Sequence, residues 1–254
     1  MFTLKYLSRS SFNQFSRRSA HFDFAKFKLS PEQIQKISKH QSPVNINEES
    51  SDVVHSNFSI EFNYKPIKST KFQEIDSTLR LHNDDLGTIK VTDIDGKGPY
   101  LYRGYEVRFN GPSEHRINNK AFNMEMQIFH DLVEGPNMDQ YDEKKAVVSL
   151  LFQIGETNHH TMEHLKTDKL DTIDEADLGE IFRESDNKHF YHYKGTLTVP
   201  PTHQFVNWFV LRHVLPIKKS LIQNLESHCI HQEAFHNFTT LQHLYGRKIG
   251  KNFK

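Results

Sequence analysis

The chain has 254 residues, enough for one large domain with a sizeable core. Lys and Arg number 32, as do Asp and Glu, so the net charge of zero provides no basic field for nucleic acid. The single cysteine, Cys229, excludes an internal disulfide, and no apolar run approaches the roughly 20 residues that cross a bilayer, so membrane association would have to come through a partner.

Residues 1–20 differ in composition from the rest of the chain. They include Arg17 and Arg18 among several basic residues and contain five serines, and no acidic residue precedes Asp23. This pattern is typical of a mitochondrial transit segment, and no continuous apolar stretch of a secretory signal is present. A disordered basic tail is the alternative.

Residues 21–40 are predicted to form a connector or arm. Within it, Ser30, Pro31 and Glu32 are expected to open a short helix that runs through Ile37. Residues 1–40 carry many large apolar side chains, which favours an arm that docks on a neighbouring subunit. Cleavage near residues 18–20 is the rival prediction. The main domain is expected to comprise residues 41–254.

Strand signals dominate the main domain. Phe58, Ile60 and Phe62 alternate with polar residues, and residues 93–99 are typical of a hairpin turn. The apolar run 147–154 indicates a strand that is covered on both faces. Further strands are expected over 196–199 and 205–211, and helices over 171–182 and 215–225. The sequence thus predicts a mostly β fold.

Two of the predicted strands each carry a row of polar side chains. Because side chains alternate along a strand, Glu106, Arg108 and Asn110 should share one face. On the next strand one face should carry Asn123, Glu125, Gln127 and Phe129, and the other Phe122, Met124, Met126 and Ile128.

Residues 105–130 carry the clearest resemblance to a known family. They include Pro112-Ser113-Glu114-His115, then Glu125 and His130. This stretch resembles the α-carbonic anhydrases, in which His-x-His-x-Pro-Ser-Glu-His precedes Glu-x-His-x-x-His. Similar matches occur at residues 41–46, at 195–201 with Trp208, and towards the C-terminus at Asn237, Gln242, Leu244, Arg247, Ile249 and Phe253.

The resemblance implies an α-carbonic anhydrase-like single domain, with a large, twisted, mainly antiparallel central sheet and short surface helices. It also implies that the zinc-ligand positions fall on Arg108, Asn110 and Gln127. Arginine offers no lone pair, and amide oxygens bind zinc poorly. We therefore expect a pseudoenzyme without metal or cofactor.

The resemblance further implies that the residues around the lost zinc are retained. Glu114 and Thr198 fall where the family orients the zinc-bound hydroxide, Glu125 falls where it holds the third histidine, and His115 falls at a structural position. Arg108 is expected to pair with Glu114 or Glu125, because an unpaired buried carboxylate is costly. Alternatively, Arg108 points outwards and binds a small anion.

Three functions remain open at this point. The first is a structural, accessory subunit of a mitochondrial assembly, foremost a respiratory-chain complex, on the matrix side or at the inner membrane, with protein subunits as partners. The second is a small-anion or ligand-binding module in the vestigial pocket. The third is an enzyme with relocated metal chemistry, for which His159, His160 and His164 have suitable spacing; with 17 histidines in the chain, such a group is more often a solvated surface.

Overall fold

The computed structural model describes residues 30–75, 78–92, 97–168, 172–198, 205–231, 235–236 and 238–254. The predictions for residues 1–20, for the connector up to residue 29, for 199–201 and for Asn237 therefore lie outside the described residues. No helix among the described residues is long and apolar enough to cross a membrane.

The described part of the chain is mainly strand. The strands are β1 (Asn45–Ile46), β2 (Val53–His55), β3 (Ser59–Tyr64), β4 (Ile67–Thr70), β5 (Phe72–Ile75), β6 (Thr78–His82), β7 (Gly87–Thr92), β8 (Tyr100–Asn110), β9 (Arg116–Ile117), β10 (Met124–Glu134), β11 (Lys145–Ile154), β12 (Ile173–Ala176), β13 (Phe190–Thr196), β14 (Phe205–Leu211), β15 (Leu215–Ile217) and β16 (Ile249–Lys251). The α-helices are α1 (Pro31–Ser38), α2 (His160–Glu163) and α3 (Lys219–Ser227), and the 3-10 helices are Met138–Gln140, Leu178–Arg183 and Ser185–Lys188.

A single large sheet organises the domain. Its order is β2-β16-β13-β14-β11-β10-β8-β6-β5, with β15 beside β11 and with β7 and β3 extending from β8. Most neighbouring strands are antiparallel, whereas β11–β14, β11–β15 and β16–β2 are parallel. The structure confirms the mostly β fold with a large, mainly antiparallel sheet and short helices.

The core lies on both faces of this sheet. Phe109 and Met126 belong to a cluster on one face, and Phe129 and Trp208 to a cluster on the other. Phe122 is an exception, because it precedes β10 and packs in the second cluster rather than with Met126. The central strand β11 is buried on both faces, as expected.

Two local predictions agree with the described structure. In α1, the Ser30 hydroxyl accepts from the Gln33 N–H at 3.2 Å, and the Gln33 side chain accepts from the Ser30 N–H at 2.8 Å. Strands β7 and β8 pair antiparallel, consistent with a hairpin around residues 93–99, of which 93–96 lie outside the described residues.

Two predicted helices are wrong in whole or in part. Residues 171–182 contain β12, which pairs with β4, followed by the 3-10 helix Leu178–Arg183. Residues 215–225 begin as β15, which pairs with β11, and α3 begins only at Lys219. In both segments, pairing with a strand distant in sequence overrides the local helical spacing.

The strand predicted over 196–199 is also placed too late. It is the end of β13, which starts at Phe190 and ends at Thr196, whereas β14 matches the predicted range 205–211. The polar rows of β8 and β10 lie near the middle of the sheet, where β10 pairs with β8 on one side and with β11 on the other.

Candidate functional site

Four adjacent strands bring one polar residue each into a single row across the sheet. Arg80 on β6 lies opposite Arg108 on β8, Arg108 lies opposite Gln127 on β10, and Gln127 lies opposite Ser149 on β11. All four side chains are buried. Such a row inside a sheet must satisfy its own hydrogen bonds and charges.

The rows on either side extend the site. Asn110 lies opposite Glu125, and Glu106 lies opposite Phe129. The predicted convergence of Arg108, Asn110, Gln127 and Glu125 is therefore present in the structure.

The amide of Gln127 joins two buried carboxylates. Its Nε2 donates to Oε2 of Glu114 and to Oε1 of Glu125, both at 2.9 Å. An amide nitrogen carries two N–H donors, so each carboxylate receives one. Gln127 thus keeps together two groups that would otherwise repel each other.

Glu125 is the better satisfied of the two carboxylates. Its oxygens accept from the His115 backbone N–H and from Nδ1 of His115, both at 2.8 Å, and from the Ser149 hydroxyl at 2.7 Å. Burial raises the pKa of this carboxyl, but the charge of His115 and the hydrogen bonds from His115 and Gln127 outweigh burial and lower the pKa. Glu125 is therefore ionised at neutral pH.

Glu114 lies in a less favourable environment. It accepts from the Thr239 N–H at 2.9 Å, and Gln127 and the Thr198 side chain also hydrogen-bond to it. Burial and the charge of Glu125 nevertheless raise the pKa of Glu114. The environment thus moves the pKa values of the two carboxyls in opposite directions.

A hydrogen-bonded chain supports His115 from behind. Its Nε2 lies 2.7 Å from the Tyr193 hydroxyl, which donates to the Ser42 hydroxyl at 3.0 Å. The Ser42 hydroxyl also accepts from the Thr196 N–H at 3.2 Å. The N-terminal part of the domain is thereby connected to the centre of the sheet.

The predicted partner of Arg108 is wrong. Its Nε donates to Oε1 of Glu106 at 2.5 Å rather than to Glu114 or Glu125, and Nη1 of Arg80 donates to Oε2 of the same Glu106 at 3.3 Å. Glu106 and Arg108 share a strand face two residues apart, while Gln127 already engages both other carboxylates.

One buried nitrogen of Arg108 is unpaired within the part of the chain that the structure describes. The guanidinium lies over the Phe129 ring, with Cζ 3.9 Å from the centroid, and the buried Nη1 has no hydrogen-bond partner there. Burial lowers the pKa of Arg108 and Arg80 acts in the same direction, whereas Glu106 opposes both. Both guanidiniums therefore contact the same Glu106 carboxylate.

These residues do not fit the zinc ion that the resemblance implies. The unpaired Nη1 of Arg108 and the Nε2 of Gln127 are N–H donors, which repel a cation. Gln127 already engages the two carboxylates. Asn110 contributes only an amide, so the set lacks the imidazole or thiolate ligands that zinc sites use.

His130 has a structural role. Its Nδ1 donates to the Ala146 carbonyl at 3.2 Å, and its Nε2 lies 3.0 Å from the Tyr64 hydroxyl. Burial lowers its pKa to about 4, so the ring is neutral at pH 7.

The histidine group named from the sequence is brought together only in part. His159 and His160 lie beside Glu184, with candidate ligand atoms within 4.8 Å of one another. His164, at the end of α2, is not part of this group.

Sequence reasoning did not place Arg80, Ser149 or Tyr193 in the central site, and it placed Glu106 on the face of Arg108 without pairing the two. Two of these four residues carried a signal. Ser149 is the one polar residue in the apolar run 146–152, and Glu106 lies two residues from Arg108, on the same strand face. Arg80 and Tyr193 reach the site through pairing between distant strands, which local sequence does not specify.

The chain matches a known protein family over most of its length. A profile of the eukaryotic-type carbonic anhydrase family matches residues 30–253. Alpha carbonic anhydrase 3 of Arabidopsis thaliana is 29% identical over 197 residues, which cover 74% of this chain and 65% of that protein. The chain therefore spans less than two thirds of that relative's length.

Solved structures agree on the fold. Dioscorin complexed with ascorbate superposes with a TM-score of 0.65 at 19% identity, covering 84% of this chain and 85% of that one. The α-carbonic anhydrase of Thermovibrio ammonificans in complex with sulfanilamide superposes with a TM-score of 0.63 at 24% identity. The match covers 87% of this chain and 92% of that one. At these identities the likeness concerns the fold alone.

Removing the Glu106 charge should cost more stability than removing Arg108. Glu106→Gln leaves Arg80 and Arg108 opposite each other in a buried row, and we expect a loss of about 3–5 kcal/mol in the free energy of unfolding. Arg108→Met leaves Glu106 paired with Arg80, so its loss should be smaller. Urea unfolding measures both.

The matched control is the exposed pair between Lys90 and Glu61. Glu61→Gln should cost about 0–1 kcal/mol. A larger loss in Arg108→Met than in Glu106→Gln would contradict the shared-carboxylate arrangement.

Glu114→Gln should become more favourable to stability as the pH rises. Below the unfolded pKa, about 4.3, Glu114 is neutral in both states. Because the pKa of Glu114 is higher in the folded state than in the unfolded state, the parent loses stability as the pH rises from the unfolded pKa through the folded pKa. The glutamine of the variant does not ionise, so the variant has no such loss. The free energy of unfolding of the variant minus that of the parent should therefore increase between pH 4 and pH 8. A difference that falls over this interval would refute the raised pKa.

Proposed function

The chain belongs to the eukaryotic-type carbonic anhydrase family, and we propose that it is a member without zinc chemistry that acts as a structural, accessory subunit of a mitochondrial assembly. The bridge from Gln127 to Glu114 and Glu125 carries the first half of this proposal. Gln127, Arg108 and Asn110 are the residues at the three positions where the family resemblance puts the zinc histidines.

The family reaction depends on those ligands. Three neutral imidazoles hold the zinc, a fourth position stays open for water, and the metal lowers the pKa of that water to about 7, carbonic anhydrase being the reference case. Here the site donates hydrogen bonds to carboxylates and supplies no such set. We infer that the chain does not hydrate carbon dioxide.

The second half of the proposal concerns the host. The basic, serine-rich and acid-free composition of residues 1–20 supports a mitochondrial address, on the matrix side or at the inner membrane. A domain that does not hydrate carbon dioxide but keeps a large buried sheet is suited to serve as a rigid block between protein subunits. A respiratory-chain complex is the proposed host.

The catalytic half is tested by stopped-flow carbon dioxide hydration. We expect the uncatalysed rate, with an active α-carbonic anhydrase as positive control. The triple variant Arg108→His, Asn110→His and Gln127→His should gain zinc at this site, because Glu114, Glu125 and Thr198 remain. A parent rate above background that a sulfonamide abolishes would overturn the proposal.

The assembly half is tested by native electrophoresis of detergent-solubilised mitochondria carrying the tagged chain. We expect the 29.9 kDa chain to migrate within a far larger particle. When residues 1–29 are replaced by a heterologous transit segment that preserves import, the chain should no longer migrate with that particle. Migration as a free monomer would contradict a subunit role.

A second candidate function is anion binding in the vestigial pocket. The buried Nη1 of Arg108, which has no hydrogen-bond partner among the described residues, favours it. The related dioscorin fold was solved with ascorbate bound. If the pocket binds such an anion, ascorbate or bicarbonate should raise the unfolding temperature of the parent and not of Arg108→Met; equal shifts in both would exclude this site.

A further inference from the structure

Three side chains of types that can bind a metal ion come together in a group that includes no residue of the central site. His159 precedes α2, His160 begins it, and Glu184 lies between the 3-10 helices Leu178–Arg183 and Ser185–Lys188. Nε2 of His159 lies 3.2 Å from Oε1 of Glu184, and the two histidine rings stack with centroids 4.5 Å apart. One candidate ligand atom from each residue falls within 4.8 Å of the others.

Buried groups hold this arrangement in place. Asn187, which is fully buried, donates from Nδ2 to Oε2 of Glu184 at 3.2 Å and to the Ile181 carbonyl at 2.8 Å. Its Oδ1 lies 2.9 Å from Nδ1 of His213. The Glu184 carboxylate is therefore oriented with Oε1 towards His159, as outer partners orient ligands in metal sites.

His159 is similarly fixed. It is 7% exposed, and its backbone N–H donates to the Pro216 carbonyl at 2.9 Å. His160 and Glu184 are open to solvent, so an ion can enter without rearrangement of the core. The site thus combines one buried ligand with two accessible ones.

We propose that His159, His160 and Glu184 bind one divalent transition-metal ion of the zinc type. Two imidazoles and one carboxylate are a ligand set that zinc uses in proteins, with a further position open for water. Glu180, whose Oε2 lies 3.1 Å from Nε2 of His160, adds a second carboxylate and further negative charge. The ion would join α2 to the 3-10 segment.

Binding requires a change in the protonation of one ring. Nε2 of His159 now donates to Glu184, while Nδ1 accepts from the Thr161 N–H at 3.4 Å. When Nε2 binds the ion, the ring proton moves to Nδ1, and this long hydrogen bond from Thr161 is lost. The ring stays neutral and no net proton is released.

Equilibrium dialysis of the full chain against micromolar zinc, followed by elemental analysis, tests the site. We expect one bound zinc per chain in the parent. His160→Ala and Glu184→Gln should each weaken binding by more than about tenfold, since even partners that only orient a ligand cost 10–100-fold. Both side chains are exposed, and equal unfolding midpoints without zinc check that both variants fold.

The matched control is His164→Ala, an exposed histidine at the end of the same helix. It should bind zinc as the parent does, and so should Arg108→Met. Absence of binding in the parent, retention in both His160→Ala and Glu184→Gln, or equal loss in His164→Ala would each overturn the proposal.

Discussion

The structure depends on one side-chain amide that lies between two buried carboxylates. Gln127 donates one N–H to Glu114 and the other to Glu125, at the middle of the sheet. A buried carboxylate without a partner costs several kcal/mol, so two of them side by side need a shared donor or a cation. In this chain the donor is the Gln127 amide, which carries no charge, so the two carboxylates differ in how their own negative charges are compensated.

The charges around Gln127 divide accordingly. Glu125 is compensated by His115 and has a lowered pKa. Glu114 has a raised pKa, and its partners among the described residues include no cation. Arg108 takes no part in this compensation. It shares Glu106 with Arg80 and packs on Phe129, which leaves a positive group beside the carboxylate pair rather than bonded to it.

Sequence reasoning reached the strand faces but not the side-chain partners. The alternation of Glu106, Arg108 and Asn110 follows from the geometry of any strand. The convergence of Arg108 and Asn110 with Gln127 and Glu125 was predicted from the family resemblance. Sequence reasoning did not predict that Arg108 pairs with Glu106 rather than with Glu114, because Arg80, the other partner of Glu106, comes from the distant strand β6. Non-local pairing also explains why the helix predicted over 171–182 is wrong, because β12 within that range pairs with the distant strand β4.

The central proposal is that Arg108, Asn110 and Gln127 stand where the family has its three zinc histidines, and that they bind no zinc. X-ray data collected at the zinc absorption edge, from crystals grown with zinc, test this most directly. The account predicts no anomalous peak among Arg108, Asn110 and Gln127, with Gln127 bonded to Glu114 and Glu125. An anomalous peak among these three residues would contradict it.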